Sequence, residues 1–205
     1  MLRDVDGLRA SHPLEVLPGR SALLVLDMQR YFLEESSHAF IPAARALIPG
    51  ITRLIGACHR SGLPVIFTRH LNSRDDAQMM SQWWRGLIEA GKPESEIIPE
   101  FDIDTSGSVI EKSQYDAFYR TPLEDMLREK EVRQVIICGV MTHLCCETTA
   151  RSAFVRGFEV FFTIDGTATY SEDFHRATLL NLAHGFAVPV LIDEMLAALS
   201  KSNAD

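Results

Sequence analysis

Three side chains stand where reactive groups are commonly placed. Asp27 follows the apolar run Ser21-Ala-Leu-Leu-Val-Leu26, Lys112 ends the run Ser108-Val-Ile-Glu, and Cys145 follows Val135-Ile-Ile-Cys138-Gly139 by a short turn. A lysine near a thiol stabilises thiolate, and an aspartate within reach can take the thiol proton. The segment Gly139-Val-Met-Thr-His-Leu-Cys145-Cys146-Glu-Thr-Thr adds a local device. Its β-branched lead-in ends at Gly139, and Ala150, Ala153, Phe154 and Phe158 then recur at helical spacing. The pattern predicts a buried strand up to Gly139 and a helix beginning close to Cys145. A thiol there sits among unpaired backbone N–H groups at the positive end of a helix dipole, which lowers its pKa and offers donors to an oxyanion. Taken alone the stretch favours packing, because cysteine is among the most buried residue types. Asp27 and Lys112 at two other strand ends shift the balance toward chemistry.

The elements that must position these groups follow from the hydropathy pattern. Ser21–Leu26 is apolar throughout, as expected for a strand buried on both faces. A helix is predicted from Pro42 to about Arg60, and a second strand over Leu63–Thr68. Residues 69–106 are less regular, with a short helix over 76–88 carrying Trp83 and Trp84. Further strands are predicted over 108–112, 132–138, 158–164 (ending at Asp165-Gly166) and 187–192, with Pro189 favouring a sheet edge. Helices are predicted over 122–130, 145–156, from an N-cap at Ser171 through Ala183, and over 193–200. This alternation predicts an α/β fold: a three-layer, doubly wound, mostly parallel six-stranded sheet of Rossmann-like topology. One domain over residues 1–205 is expected. Residues 1–20, with Pro13 and Pro18, read as an arm on the surface or on a partner subunit, and 70–106 as a lid or connecting excursion. In such a sheet ligands bind beyond the carboxyl ends of the strands, where Asp27, Lys112 and Cys145 fall.

Composition narrows the function classes. The 205 residues are 46% hydrophobic and 23% charged, enough to bury a sizeable core. A net charge of -8 with no basic stripe argues against nucleic acid or an anionic membrane surface as a partner. The apolar runs are too short to span a bilayer, and the N-terminus carries no apolar signal region. Cys58, Cys138, Cys145 and Cys146 have no zinc spacing, and a disulfide between the adjacent pair would be strained. A cytoplasmic location is expected. Neither a Gly-x-Gly-x-x-Gly turn nor a phosphate-loop motif follows the first strand, so no dinucleotide or nucleotide cofactor is expected.

Three motifs in order carry a family resemblance. They are Ala-Leu-Leu-Val-Leu-Asp27-Met-Gln-Arg-Tyr-Phe, Val-Ile-Glu-Lys112-Ser-Gln-Tyr-Asp-Ala-Phe-Tyr-Arg-Thr-Pro-Leu, and Gly139-Val-Met-Thr-His-Leu-Cys145 followed by Thr-Thr-Ala-Arg-Ser-Ala-Phe. Over roughly Ser21 to Met195 the chain resembles the isochorismatase-like hydrolases, which include isochorismatases, nicotinamidases and N-carbamoylsarcosine amidases. The resemblance implies a catalytic Asp27–Lys112–Cys145 triad. It also implies a cis peptide bond between Val140 and Met141, with the N–H groups of Met141 and Cys145 facing the substrate oxygen. Cys146 is then a packing neighbour, and Cys58 and Cys138 are structural. Gln29, Phe32, His70, Trp84, Tyr115 and Phe118 are the candidate pocket residues. Family members are usually dimers or tetramers, so a homo-oligomer is expected, with the arm and Trp83-Trp84 as candidate contacts.

Within the family two chemistries compete. The amidases attack a carbonyl carbon with the cysteine, whereas the isochorismatases protonate an enol ether from the aspartate and use no nucleophilic cysteine. The Tyr115-Asp-Ala-Phe-Tyr-Arg-Thr-Pro-Leu stretch and Trp84 resemble true isochorismatases. Those enzymes, however, carry a small residue in place of Cys145, an aromatic in place of Met141 and a Gln in place of His70. Their carboxylate-binding arginine has no counterpart upstream of Trp84, leaving Arg74 or Arg85 as substitutes. The intact Asp–Lys–Cys set favours a cysteine hydrolase of a small amide or carbamoyl compound, with isochorismate cleavage as the alternative and a non-catalytic binder as the third reading. The nicotinamidase branch binds a metal through an Asp-x-His pattern that here reads His70-Leu71-Asn72, so no metal is expected. His143 is read as orienting its turn or packing, and His175 and His184 as capping or packing.

Overall fold

Six short runs rich in β-branched and aromatic residues become β1 (Ser21–Leu26), β2 (Val65–His70), β3 (Ser108–Lys112), β4 (Gln134–Val140), β5 (Glu159–Ala168) and β6 (Val188–Val190). In this computed structural model, which describes residues 2–9, 12, 14–17, 19–103 and 107–202, they form one sheet of order β3-β2-β1-β4-β5-β6 with every pairing parallel. Pro13, Pro18 and residues 104–106 of the expected arm and lid lie outside the described residues.

The uninterrupted apolar character of β1 follows from burial on both sides. Leu23 and Val25 enter one core with Phe67, Ile136 and Phe161, while Ala22, Leu24 and Leu26 enter a second with Ile66, Ile137 and Phe162. Helices cover each face. Ile48–Arg60 and Ile192–Ser202 contribute Ile51, Leu54, Met195 and Leu199 to the first core. Leu123–Glu129, Glu147–Val155 and Glu172–Gly185 contribute Leu127, Ala150, Leu179 and Leu182 to the second. The three layers and the edge position of β6, with its Pro189, agree with the sequence expectation. Ser171 caps its helix by accepting from the Phe174 N–H.

Several boundaries differ from expectation, each for a local reason. β5 does not stop at Asp165-Gly166 but continues to Ala168 through a register shift opposite Ile137–Gly139. A Cβ on Gly166 would lie 2.2 Å from Thr163 Oγ1, so the glycine marks a close backbone passage rather than a turn. The predicted helix over 76–88 shrinks to one turn, Met80–Trp83, with Trp83 75% exposed and no apolar stripe to pack. The helix expected from Pro42 begins as a 3-10 segment, Pro42–Leu47. β2 runs to His70, two residues past Thr68, and so delivers His70 to the sheet end. The first part of the expected arm is a helix, Leu2–Arg9, docked on this chain's own body. Val5 is fully buried there, and Arg9 donates to Pro189 O and pairs with Glu194.

Candidate active site

The strand order reverses at β1, whose neighbours are β2 on one side and β4 on the other. Chains leaving β1 and β4 diverge there and open a crevice at the carboxyl edge. Gly139 sets the approach: its φ is +118°, and a Cβ would lie 2.1 Å from Leu26 O. Asp27, the next residue on β1, has a left-handed φ of +51°. Its N–H donates to Thr68 O (3.3 Å) and to Thr68 Oγ1 (3.1 Å), and Thr68 Oγ1 donates in turn to Asp27 Oδ1 (2.6 Å). The carboxylate is therefore held in one orientation by the middle of β2.

Lys112 ends β3, two strands away, and its side chain reaches over the end of β2 to the same point. Nζ donates to Gln114 O (2.8 Å), His70 Nδ1 (3.3 Å) and Cys145 Sγ (3.4 Å). Asp27 Oδ2 lies 2.8 Å from Nζ in a buried ion pair, and the ammonium and the Cys145 thiol both act on the carboxylate as donors. The ligand atoms of Asp27, His70 and Cys145 lie within 4.8 Å of one another, so the carboxylate is within reach of the thiol proton. The chain at Cys145 is not yet α-helical. Thr142–Cys146 is a π turn, entered through a cis Val140–Met141 bond, and the α-helix begins at Glu147.

Burial is the strongest single effect and opposes the charge on Asp27, but the Lys112 ammonium, the neighbouring His70 and the hydrogen bonds from Cys145 and Lys112 together hold the carboxyl below its ordinary range. Lys112 is likewise desolvated, and the charges of Asp27 and Cys145 raise its pKa in spite of that. Cys145 behaves contrary to the sequence expectation of a lowered thiol pKa. Burial first, then the negative charge of Asp27, push its thiol well up, against the opposing effect of Lys112. The resting state is a neutral thiol beside an ionised carboxylate with an ammonium between them. Moving the thiol proton to Asp27 Oδ2 leaves the net charge of this buried cluster unchanged.

A cavity of about 330 Å³ opens above the thiol, within the range of small-molecule sites. Phe32, His70, Trp84, Tyr115 and Met141 line it with Cys145, as do residues 85–88 of the covering segment. Gln29 and Phe118, also expected in the pocket, are not on its wall. Gln29 is fully buried as a brace: it donates to His70 O (3.0 Å) and Ser95 O (2.7 Å) and accepts from the His70 N–H (2.8 Å). Phe118 packs in the second core, stacked on Phe158. The sequence reading missed Tyr31, His38 and Tyr170 on the wall. Their signal is weak, because they come from separate loops. His143 pairs with Thr169 Oγ1 (2.7 Å) and stacks on Phe174, and His175 pairs with Thr142 Oγ1 (3.1 Å), so both steady the turn that carries Cys145.

A metal ion of the kind implied by the nicotinamidase branch does not fit these residues. Both His70 ring nitrogens are engaged: Nδ1 accepts from Lys112, and Nε2 donates to Asn72 Oδ1 (2.7 Å). Asn72 in turn donates to Ser113 O (2.9 Å). His70, Asp27 and Cys145 also surround a buried ammonium, whose charge opposes a second cation. Burial, with the Lys112 charge, takes the His70 pKa down to about 4, so the ring is neutral at physiological pH.

A six-stranded parallel sheet with an acid, an ammonium and a thiol at its switch point defines a hydrolase class of α/β protein. The chain belongs to the isochorismatase family, whose isochorismatase domain pattern matches residues 21–194. It is a hydrolase of that family. It is 43% identical over 183 residues to nicotinamidase 3 of Arabidopsis thaliana, covering 87% of this chain and 88% of that protein. It is 33% identical over 190 residues to the isochorismatase of Bacillus subtilis, covering 92% of this chain but only 61% of that protein's length. Its fold superposes with a TM-score of 0.84 on a cysteine hydrolase from Pseudomonas syringae, at 24% identity over 93% of this chain and 97% of that one. No helix among the described residues is long and apolar enough to cross a membrane.

Proposed function

We propose that this hydrolase cleaves the C–N bond of a small amide or carbamoyl compound through Cys145. The observation that carries the reading is the Asp27 carboxylate, ion-paired with Lys112 at 2.8 Å beside the Cys145 thiol at the floor of the cavity. As substrate enters, Asp27 Oδ2 takes the thiol proton and Sγ attacks the carbonyl carbon. The backbone N–H groups of Met141 and Cys145 receive the developing oxyanion. Asp27 then gives its proton to the leaving nitrogen, the C–N bond breaks and an acyl thioester remains. Water adds to the thioester with Asp27 again accepting the proton. The C–S bond breaks, the acid product leaves and the proton returns to sulfur. Lys112 keeps Asp27 ionised between steps and steadies the thiolate while it exists.

Enol-ether cleavage is the second reading, supported by the 33% identity to an isochorismatase. It needs Asp27 loaded with a proton at rest, and the neighbouring ammonium favours the ionised form. A non-catalytic binder would leave the three groups apart, whereas here Lys112 touches both partners. Residues 70–106, of which 104–106 lie outside the described residues, act as a lid in this reading, and the four free, buried cysteines suit a reducing cytoplasm. A dimer or tetramer is part of the same proposal, tested by light scattering of the purified protein.

The decisive experiment assays Cys145→Ala and Cys145→Ser against an amide panel and isochorismate. Loss of amide turnover in both variants supports the reading. Full amide turnover in both overturns it, and isochorismate cleavage that survives in both variants favours the alternative.

A further inference from the structure

The cavity wall carries three tyrosine hydroxyls, and two have a protein partner able to accept their proton. Tyr170 donates to Ala39 O (3.3 Å), and Tyr31 is paired with His38 Nε2 (3.0 Å). Tyr115 differs. Its oxygen accepts from the Trp84 indole N–H at 2.7 Å, and its own proton has no acceptor among the described residues. A phenol is both donor and acceptor, so the Trp84 bond occupies an oxygen lone pair and leaves the proton to be given elsewhere.

The position of this hydroxyl is fixed from two sides. Tyr115 lies three residues past Lys112, in a loop whose Gln114 carbonyl holds the ammonium and whose Ser113 carbonyl accepts from Asn72. Thr149, one turn into the helix that follows Cys145, donates to Tyr115 O (3.4 Å) and accepts from the Ala117 N–H (3.0 Å). The Tyr115 backbone is thus tied to the segments that carry the ammonium and the thiol, while its hydroxyl is tied to the cover through Trp84. No step of the proposed reaction uses it. The thiol proton goes to Asp27, and the substrate oxygen is met by backbone N–H groups.

We propose that the Tyr115 hydroxyl, oriented by the Trp84 indole, is the specificity-determining donor of this site, giving its free proton to an acceptor heteroatom on the substrate away from the scissile carbonyl. The inference rests on the cysteine-hydrolase reading for its reaction but not for its binding. A substrate lacking that acceptor leaves a donor desolvated without a partner. Sites built around such a donor discriminate strongly for this reason. The indole also makes recognition depend on the cover, because Trp84 must be in place for Tyr115 to point correctly.

The test compares two probes of nearly equal shape, pyridine-3-carboxamide and benzamide, which differ in one ring acceptor. Turnover is measured for the wild-type enzyme, Tyr115→Phe and Trp84→Phe, and binding of both probes is measured in the Cys145→Ala background with and without Tyr115→Phe. The wild type is expected to favour the pyridine amide in kcat/KM by roughly 10-fold or more, about the strength of one directed hydrogen bond. Tyr115→Phe is expected to bring that ratio close to one. Trp84→Phe, which keeps an aromatic ring but loses the N–H, is expected to lower the ratio part of the way. The same loss of preference is expected in binding to the Cys145→Ala background, which separates this proposal from the fate of the nucleophile. Equal losses for both probes in Tyr115→Phe would show a merely structural role and overturn it. A wild-type enzyme that binds the two probes equally would overturn it too.

Discussion

Asp27, His70, Lys112 and Cys145 are buried at the ends of regular strands, in contact with one another and with backbone carbonyls. The segment that roofs them, 71–98, contains one turn of α-helix and exposes Met79 and Trp83. Near 95–98 it is bonded to the chain after β1, where Arg30 N–H donates to Glu96 O, Ile98 N–H donates to Met28 O and Gln29 holds Ser95, and Asn72 and Trp84 tie it to the loop after Lys112. The contrast has a physical basis. Charges act strongly on one another only where water is excluded and geometry is fixed. A cover has to admit a substrate, so it takes little of its order from the sheet. In the proposed reaction the centre holds the reacting groups, and the cover supplies shape and orients the Tyr115 hydroxyl through Trp84.

Substitutions at the centre should have the largest effects, and they can break this contrast. Asp27→Asn is expected to lower amide turnover by about 10³-fold or more, the scale of a lost general base. The same change removes the charge that raises the Cys145 pKa and leaves Lys112, which lowers it. Iodoacetamide labelling of Cys145 near pH 7, slow in the wild type, is therefore expected to quicken while turnover falls. Mass spectrometry locates the label, and labelling of Cys146 instead would contradict the assignment. Lys112→Met leaves Asp27 buried without its ion pair. A loss of about 3 kcal/mol or more in denaturant unfolding is expected, and a variant as stable as wild type would show the pair to be dispensable.

Acid should also act on the centre. The His70 pKa is about 4 in the fold against 6.5 in an exposed imidazole. Between those values the unfolded chain takes up a proton that the folded chain refuses. Stability should fall as pH drops from about 6.5 to about 4, by about 3 kcal/mol in all. Asp27, lowered in the fold, supports stability above its ordinary range and loses that contribution only at still lower pH. His70→Gln should flatten the first part of the curve.

The smallest effects are expected at the cover. Gln29→Ala removes three hydrogen bonds that link β2 to Ser95. A destabilisation of about 1–3 kcal/mol is expected, with KM raised more than kcat lowered, because the cover loosens while the centre stays. Equal damage to kcat would mean that the two regions are not separable.

Much of the frame was legible because it rests on local patterns. The run Ser21–Leu26 had to be a strand buried on both faces, and the alternation with amphipathic helices implied parallel pairing. The motifs around Asp27, Lys112 and Cys145 were equally plain, since each lies in one unbroken stretch of chain. The inner or outer position of Gln29 and Phe118 was not legible, because both follow a reactive residue by a few positions and only packing decides which way they face. Asp165-Gly166 carried a turn signal that a close passage beside Thr163 reversed.

By itself the sequence determined the layered α/β fold, the strand ends that carry the acid, the ammonium and the thiol, and the family. Those depend on hydropathy period and residue type, which are properties of short segments. The tertiary structure alone decided the protonation state of Cys145. A thiol after a strand, close to a lysine, reads as an incipient thiolate. Complete burial beside an ionised Asp27 makes it a neutral thiol whose proton faces that carboxylate. The tertiary structure also brought the Trp84 indole to the Tyr115 hydroxyl from a segment thirty-one residues earlier in the chain, on the wall of the cavity that Cys145 shares.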